Sequence, residues 1–292
     1  MNATLLARPM AGPSQVDALR YRMLSGDRRR GDAGVPTLIC ASGRGGSGTS
    51  LLAALLAMSA AGDGYRVLLV DADEHVGPLA MLLQAPTTAT WQDLRGGRLS
   101  PEEIATPIST TLTLVAGGAP RRLSPDGTAL TAAERKACMR RVSTLGAGMD
   151  LVVVDAGARF ESVMAAITPH ADERLVAVTA DADPIGVAST YALCKAVQAR
   201  CEGMPMDILV NRHDAGPAMR CFDTIDNGTR QFLGMPLRFA GAIPPDAALD
   251  TALRTGVPFH TAAAGSPAAL AAHDIVLRAI AAATSSRPGI RS

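Results

Sequence analysis

Nearly continuous apolar runs of four or five residues recur along the chain, each closed by a polar or glycine-rich turn and followed by a stretch of helical period. The runs fall at residues 38–41, 66–70, 112–115, 151–154, 175–179, 207–211 and 239–243. They lack the strict alternation of half-exposed strands, so they predict strands buried on both faces. Helical period predicts helices after the first run and over residues 129–145, 187–199, 218–233, 249–255 and 266–283. A shorter helix is predicted to begin at Trp91, Gln92, Asp93 and Leu94 and to stop at Gly96 and Gly97. Strands alternating with helices predict an α/β fold: one doubly wound, mostly parallel sheet flanked by helices, with right-handed crossovers and no internal repeat.

Composition sharpens that picture. Of 292 residues, 48% are hydrophobic but only 3% aromatic, so the core must be built from Ala, Val, Leu and Met, which suits helices packed closely on a parallel sheet. A formal charge of +1 supplies no global attraction to nucleic acid or membrane. Cys40, Cys138, Cys194, Cys201 and Cys221 show no C-x-x-C spacing and read as thiols of a reducing compartment. No apolar signal core opens the chain and no run reaches the roughly 18 residues of a membrane span. A cytoplasmic protein is expected.

The first apolar run leads into candidate chemistry, S-G-R-G-G-S-G-T-S-L-L-A-A-L-L-A. Strand, glycine loop, helix is the setting of a phosphate-binding loop: glycines let the backbone fold tightly around an anion, and the helix N-terminus adds partial positive charge. The spacing G-x-x-x-x-G is intact from Gly43 to Gly48, and Ser50 stands where a Mg²⁺-binding hydroxyl belongs. The lysine that normally precedes that hydroxyl is Thr49.

Acids close the next runs. Asp71 and Asp73 follow the second, at the strand end that faces the ligand crevice of open α/β sheets. If the strand stays extended, residues i and i+2 point the same way, and the pair either helps hold Mg²⁺ and orient water or forms a solvated strand end. Asp155 ends the run D-L-V-V-V-D-A-G, the place of a Mg²⁺-binding acid. Asn211 closes I-L-V-N; its amide can match an adenine edge, or simply form a turn. His75 reads as a loop residue, since no second His or Cys is spaced to join it. The pair Arg121 and Arg122 lies on an expected surface loop and reads as a solvated turn, or as a contact to phosphate or a partner.

Three segments are expected: an N-terminal arm (1–34), a nucleotide-binding domain (35–285) and a polar tail (286–292). Within the arm, S-Q-V-D-A-L-R-Y-R-M places Val16, Leu19 and Met23 on one helical face behind Ser14 as N-cap. Such a helix either packs on its own domain or docks into a partner's groove.

In order, S-G-R-G-G-S-G-T-S, V-L-L-V-D-A-D, D-L-V-V-V-D-A-G, I-L-V-N-R and A-I-P-P-D-x-x-L resemble the successive signatures of the MinD/ParA family of ATPases, whose deviant phosphate loop is usually written K-G-G-x-G-K-T. The resemblance spans residues 36–284 and implies a P-loop NTPase fold of the SIMIBI type. Within the family, Q-F-L-G-M-P-L-R-F-A-G-A-I-P-P-D and the arm resemble the FlhG (or FleN) branch, regulators of flagellar number and placement. The resemblance implies ATP or ADP with Mg²⁺ as ligands, held by Gly43, Arg44, Gly45, Gly46, Ser47, Gly48, Thr49 and Ser50, with Asn211 beside adenine. It implies Ser50, Asp71 and Asp155 at the metal, and Asp73 near the hydrolytic water. The branch's arm, D-Q-A-x-x-L-R, contacts the GTPase FlhF; Gln15, Leu19 and Arg20 match it, while Ser14 and Val16 depart.

Two departures bear on chemistry. Arg44 occupies the signature lysine position, which in this family reaches across an ATP-dependent homodimer; arginine keeps the charge but has a different reach. Thr49 replaces the in-loop lysine. Losing that cation forfeits on the order of several kcal/mol of transition-state stabilisation, a hundredfold or more in rate. Binding should suffer less, so the expectation is a nucleotide-binding regulator with weak or lost hydrolysis. The alternatives are a scaffold that binds no nucleotide and a BcsQ-like cellulose-secretion component, whose R-G-G-x-G-T-T style of loop is similar. No basic stripe points to DNA, and the Ala-rich last helix with its short tail predicts no autonomous membrane binding.

Overall fold

The computed structural model describes residues 35–118, 130–167, 173–180 and 183–285. The expected partner residues Gln15, Leu19 and Arg20, the loop arginines Arg121 and Arg122, and the tail lie outside the described residues.

The described elements are β1 (Thr37–Ser42), α1 (Thr49–Gly62), β2 (Val67–Asp71), α2 (Pro78–Leu82), a 3₁₀ segment (Trp91–Gly97), α3 (Pro101–Ile104), β3 (Ala105–Pro107), β4 (Leu112–Val115), α4 (Ala132–Ser143), β5 (Leu151–Gly157), α5 (Phe160–Ala166), β6 (Glu173–Thr179), α6 (Pro184–Gln198), β7 (Met206–Asn211), α7 (Ala215–Leu233), β8 (Arg238–Ile243), α8 (Ala247–Thr255), α9 (Phe259–Ala263) and α10 (Pro267–Ser285). They build one eight-stranded sheet in the order β3-β4-β2-β5-β1-β6-β7-β8. All neighbours are parallel except β3, which runs antiparallel to β4 at the edge. The doubly wound, mostly parallel α/β sheet expected from the sequence is present.

Strand alternation divides the core into two layers. Ile39, Leu68, Val154 and Ala177 face a cluster shared with Trp91, Met139, Val163, Cys194 and Ile225. Leu38, Leu69, Val153 and Val176 face the other, built from α1 and α10. Helix α1 is apolar almost all round, with Leu52 through Ala57, Ala60 and Ala61 buried, because its small side chains lie between the sheet and α10. All five cysteines are free thiols.

Local differences from the sequence expectation have local causes. Strand β3 was not expected; three residues ending in a proline are too short for a period, and an edge tolerates the missing donor. The helix at Trp91 is 3₁₀, interrupted at Arg95 and at Gly96, whose φ is 72°. Strand β2 ends at Asp71, so the extended geometry that would aim Asp71 and Asp73 alike does not continue. The Asp71 carboxylate accepts the Asp73 N–H at 3.0 Å and turns the chain there. Among the described residues no helix is long and apolar enough to cross a membrane.

Candidate functional site

Strands β1, β2, β5 and β7 deliver their C-terminal ends to one crevice. The loop leaves β1 at Gly43, where an added Cβ would collide with the main chain of Ser189 on α6. Ser42 Oγ and Ser47 Oγ both donate to the Arg44 carbonyl, at 2.9 and 3.1 Å, which curls the loop back on itself. Gly46 and Gly48 both sit at φ 83°, a conformation that favours glycine. Gly45 and Gly46 are exposed, and a Cβ on either would meet nothing within 4 Å. The loop crest is therefore open.

Gly48 is the N-cap of α1 and supplies no side-chain cap, so the first-turn amides remain available to an anion. Thr49 is buried at the first helical position, 6% exposed. Arg44 lies at the half-exposed rim, its Nη1 4.0 Å from Asp183 Oδ2 at the start of α6.

The floor of the crevice is acidic. Asp71 and Asp155 are register partners on β2 and β5, and both are fully buried. Burial, then the neighbouring Asp155, push Asp71 up to about 8, although the Leu79 and Asp73 amides hold it back. Those amides take both oxygens: Leu79 N–H donates to Oδ2 and Asp73 N–H to Oδ1, each at 3.0 Å. Burial also raises Asp155 to about 6, opposed by the Ser50 hydroxyl and the Gly157 amide. Gly157 N–H donates to Oδ1 at 3.1 Å, while Oδ2 is buried with no hydrogen-bond partner among the described residues. A buried carboxylate oxygen left bare is costly, and a cation would relieve it.

This arrangement fits Mg²⁺ in a specific way. Among the described residues no three His, Cys, Asp or Glu side chains converge on a metal position. Mg²⁺ usually takes one or two protein oxygens and fills its remaining positions with phosphate and water. Asp155 and Ser50 match that donor set; each Asp71 oxygen already accepts one main-chain amide. Asp73 is half-buried just beyond β2, its Oδ1 accepting the amides of His75 (2.8 Å) and Val76 (3.3 Å). His75 is exposed, and its Nε2 lies 3.4 Å from the adjacent Glu74 carboxylate.

Asn211 reaches the site from β7. Its Nδ2 donates to the Ser47 carbonyl at 2.9 Å, and its Oδ1 accepts the Arg212 amide at 3.0 Å. The side chain expected beside a base thus also ties β7 to the loop. Arg212 follows at φ 59°, and a cavity of about 70 Å³ opens here, lined by Leu51, Leu55, Asn211, Arg212, Pro244 and Pro245. The prolines belong to the A-I-P-P-D motif, so this wall was legible in the sequence. The residues that hold the Asp73 turn from below, Glu74, Gln92 and Arg135, were not, because each is an isolated polar position with no spacing rule.

Comparison with known proteins places the chain in a family. The chain is 26% identical over 243 residues to the antiactivator FleN of Pseudomonas aeruginosa, covering 81% of this chain and 83% of that one. Among solved structures, it resembles the ParA family ATPase of Chlorobium tepidum (TM-score 0.64, 21% identity, 84% of this chain and 98% of that one). It also resembles the septum site-determining protein MinD of Pyrococcus horikoshii, complexed with Mg-ADP (TM-score 0.66, 17% identity, 84% and 95%). The family described as the CobQ/CobB/MinD/ParA nucleotide binding domain matches residues 38–259. With an open glycine loop, an uncapped helix and a strand-end acid in that family's order, the chain belongs to the CobQ/CobB/MinD/ParA nucleotide binding domain family.

Proposed function

We propose that this chain is an FlhG-like regulator of flagellar biosynthesis that binds ATP or ADP with Mg²⁺ and turns it over slowly or not at all. One observation carries the nucleotide half: the bare, buried Asp155 Oδ2 at the foot of an open glycine loop. In this reading residues 43–50 cradle the phosphates through main-chain amides, and the α1 N-terminus adds its dipole. Ser50 and Asp155 hold the metal, which when bound neutralises phosphate charge. Asp73, beside the metal, orients the water around it, and the cavity beside Asn211 and Pro244 receives the base. Thr49 offers no charge to the phosphates, so cleavage lacks the cation that normally steadies its transition state. Arg44, on the rim, is the group placed to reach a second copy of the chain.

The regulatory half rests on the likeness to an antiactivator and on the arm S-Q-V-D-A-L-R. The chain acts by contacting other proteins, an FlhF-like GTPase through Gln15, Leu19 and Arg20 among them, with nucleotide setting whether it is a monomer or a dimer. Calorimetric titration with ATP and ADP, with and without Mg²⁺, tests the reading. Binding strengthened by Mg²⁺ is expected, together with ATP-dependent dimerisation in light scattering. No heat with either nucleotide would reduce the chain to a scaffold that keeps only the fold.

A further inference from the structure

The turn that carries Asp73 is fixed from beneath by three separate elements. Glu74 forms a two-pronged ion pair with Arg135 of α4: Nε to Oε2 at 2.8 Å and Nη2 to Oε1 at 2.7 Å. The side chains are 12% and 10% exposed, and Arg135 Nη2 also donates to the Leu130 carbonyl at 3.1 Å. From the 3₁₀ segment, Gln92 Nε2 donates to the Glu74 carbonyl at 2.6 Å. From the loop after β4, Gly118 N–H donates to the Asp73 carbonyl at 3.0 Å. A side chain at Gly117 or Gly118 would strike those same two carbonyls, so the close approach requires glycine.

We propose that Arg135 is a positioning residue for the Mg²⁺–nucleotide site, setting through Glu74 where Asp73 stands relative to Asp155. This rests on the nucleotide reading above and goes beyond it by naming a side chain outside the crevice on which the metal's effect depends. Two buried charges are an expensive way to fill space, and an apolar pair would pack as well. What the planar fork adds is orientation: two parallel bonds lock the turn in register with α4. A shift of α4 is then transmitted to Asp73. The chain's single tryptophan, Trp91, is fully buried next to Gln92 in sequence and reports on the same turn.

The test compares full-length wild type with Arg135→Met, Arg135→Lys and Glu74→Gln. Calorimetric titration with ATP is run with and without Mg²⁺, and Trp91 emission is followed as Mg·ATP is added. In wild type, Mg²⁺ tightens ATP binding and shifts the emission. Arg135→Met keeps its Mg²⁺-free affinity within about twofold, loses about tenfold of the Mg²⁺ enhancement and shows no emission shift; Arg135→Lys recovers part of both. An Arg135→Met protein that melts like wild type and retains the full Mg²⁺ enhancement overturns the inference. Should Arg135→Met fail to fold, Glu74→Gln and Arg135→Lys with wild-type Mg²⁺ responses overturn it equally. A wild type that binds no nucleotide overturns the parent reading and the inference with it. Normal wild-type binding with unaltered variants overturns the inference alone.

Discussion

Asp71 and Asp155 stand opposite each other as register partners on adjacent parallel strands, both fully buried. They differ in what satisfies them: Asp71 has a main-chain N–H on each oxygen, and among the described residues Asp155 keeps one oxygen bare. The first is a fastener of the turn after β2. The second is the acid to which the proposed reading assigns the cation.

The pair makes stability depend on pH. Both acids are raised from an ordinary 3.8, to about 8 for Asp71 and about 6 for Asp155. Between those values and 3.8 the folded chain holds more protons than the unfolded one, so stability falls as pH rises through about 4 to 8. The two titrate as a pair, and each proton contributes at most about 1.4 kcal/mol per pH unit. Without nucleotide the protein is expected to melt higher at pH 5 than at pH 8, and Asp71→Asn should flatten the slope. Melts at constant ionic strength check this, and a flat wild-type profile would contradict it.

Thr49 tests the chemistry. Thr49→Lys should raise ATP turnover by about tenfold or more, read as phosphate release, with a melting temperature close to wild type. Turnover that stays at background would remove Thr49 as the reason for slow hydrolysis.

Two glycines of the loop, one packed against α6 and one open, separate loop folding from ligand binding. Gly43→Ala drives a methyl into the Ser189 main chain and should destabilise the fold by roughly 1–3 kcal/mol, as overpacking does. Gly45→Ala meets nothing, so it should melt like wild type and lose affinity only if phosphate occupies the crest. Paired denaturant melts and ATP titrations distinguish the two. A Gly45→Ala protein that binds ATP like wild type would show that the crest is not the binding surface.

Asn211 joins β7 to the loop. Asn211→Ala removes the donor to the buried Ser47 carbonyl, a loss of about 1–3 kcal/mol for an unsatisfied group, and weakens ATP binding alongside stability. Full stability with normal binding would show that the loop holds its shape without this tie.

Much of this could be read along the chain because it is local. The glycine spacing from Gly43 to Gly48, the apolar runs and the acids that close them depend on neighbours a few residues away. Aliphatic runs long enough to bury both faces already imply a parallel sheet with its crevice at the strand ends. The division of labour among the polar residues could not be read so. Glu74 and Arg135 are 61 residues apart and Asn211 and Ser47 are 164, and Asp71 faces Asp155 only because β2 and β5 are neighbours in one register. Hydrophobic period places a residue on a strand or a helix face; it carries no information about which distant strand comes to lie beside it. Which acid is tied down and which is left bare is settled when strand order and register bring the few buried polar groups within bonding reach, where each must find a partner or remain costly.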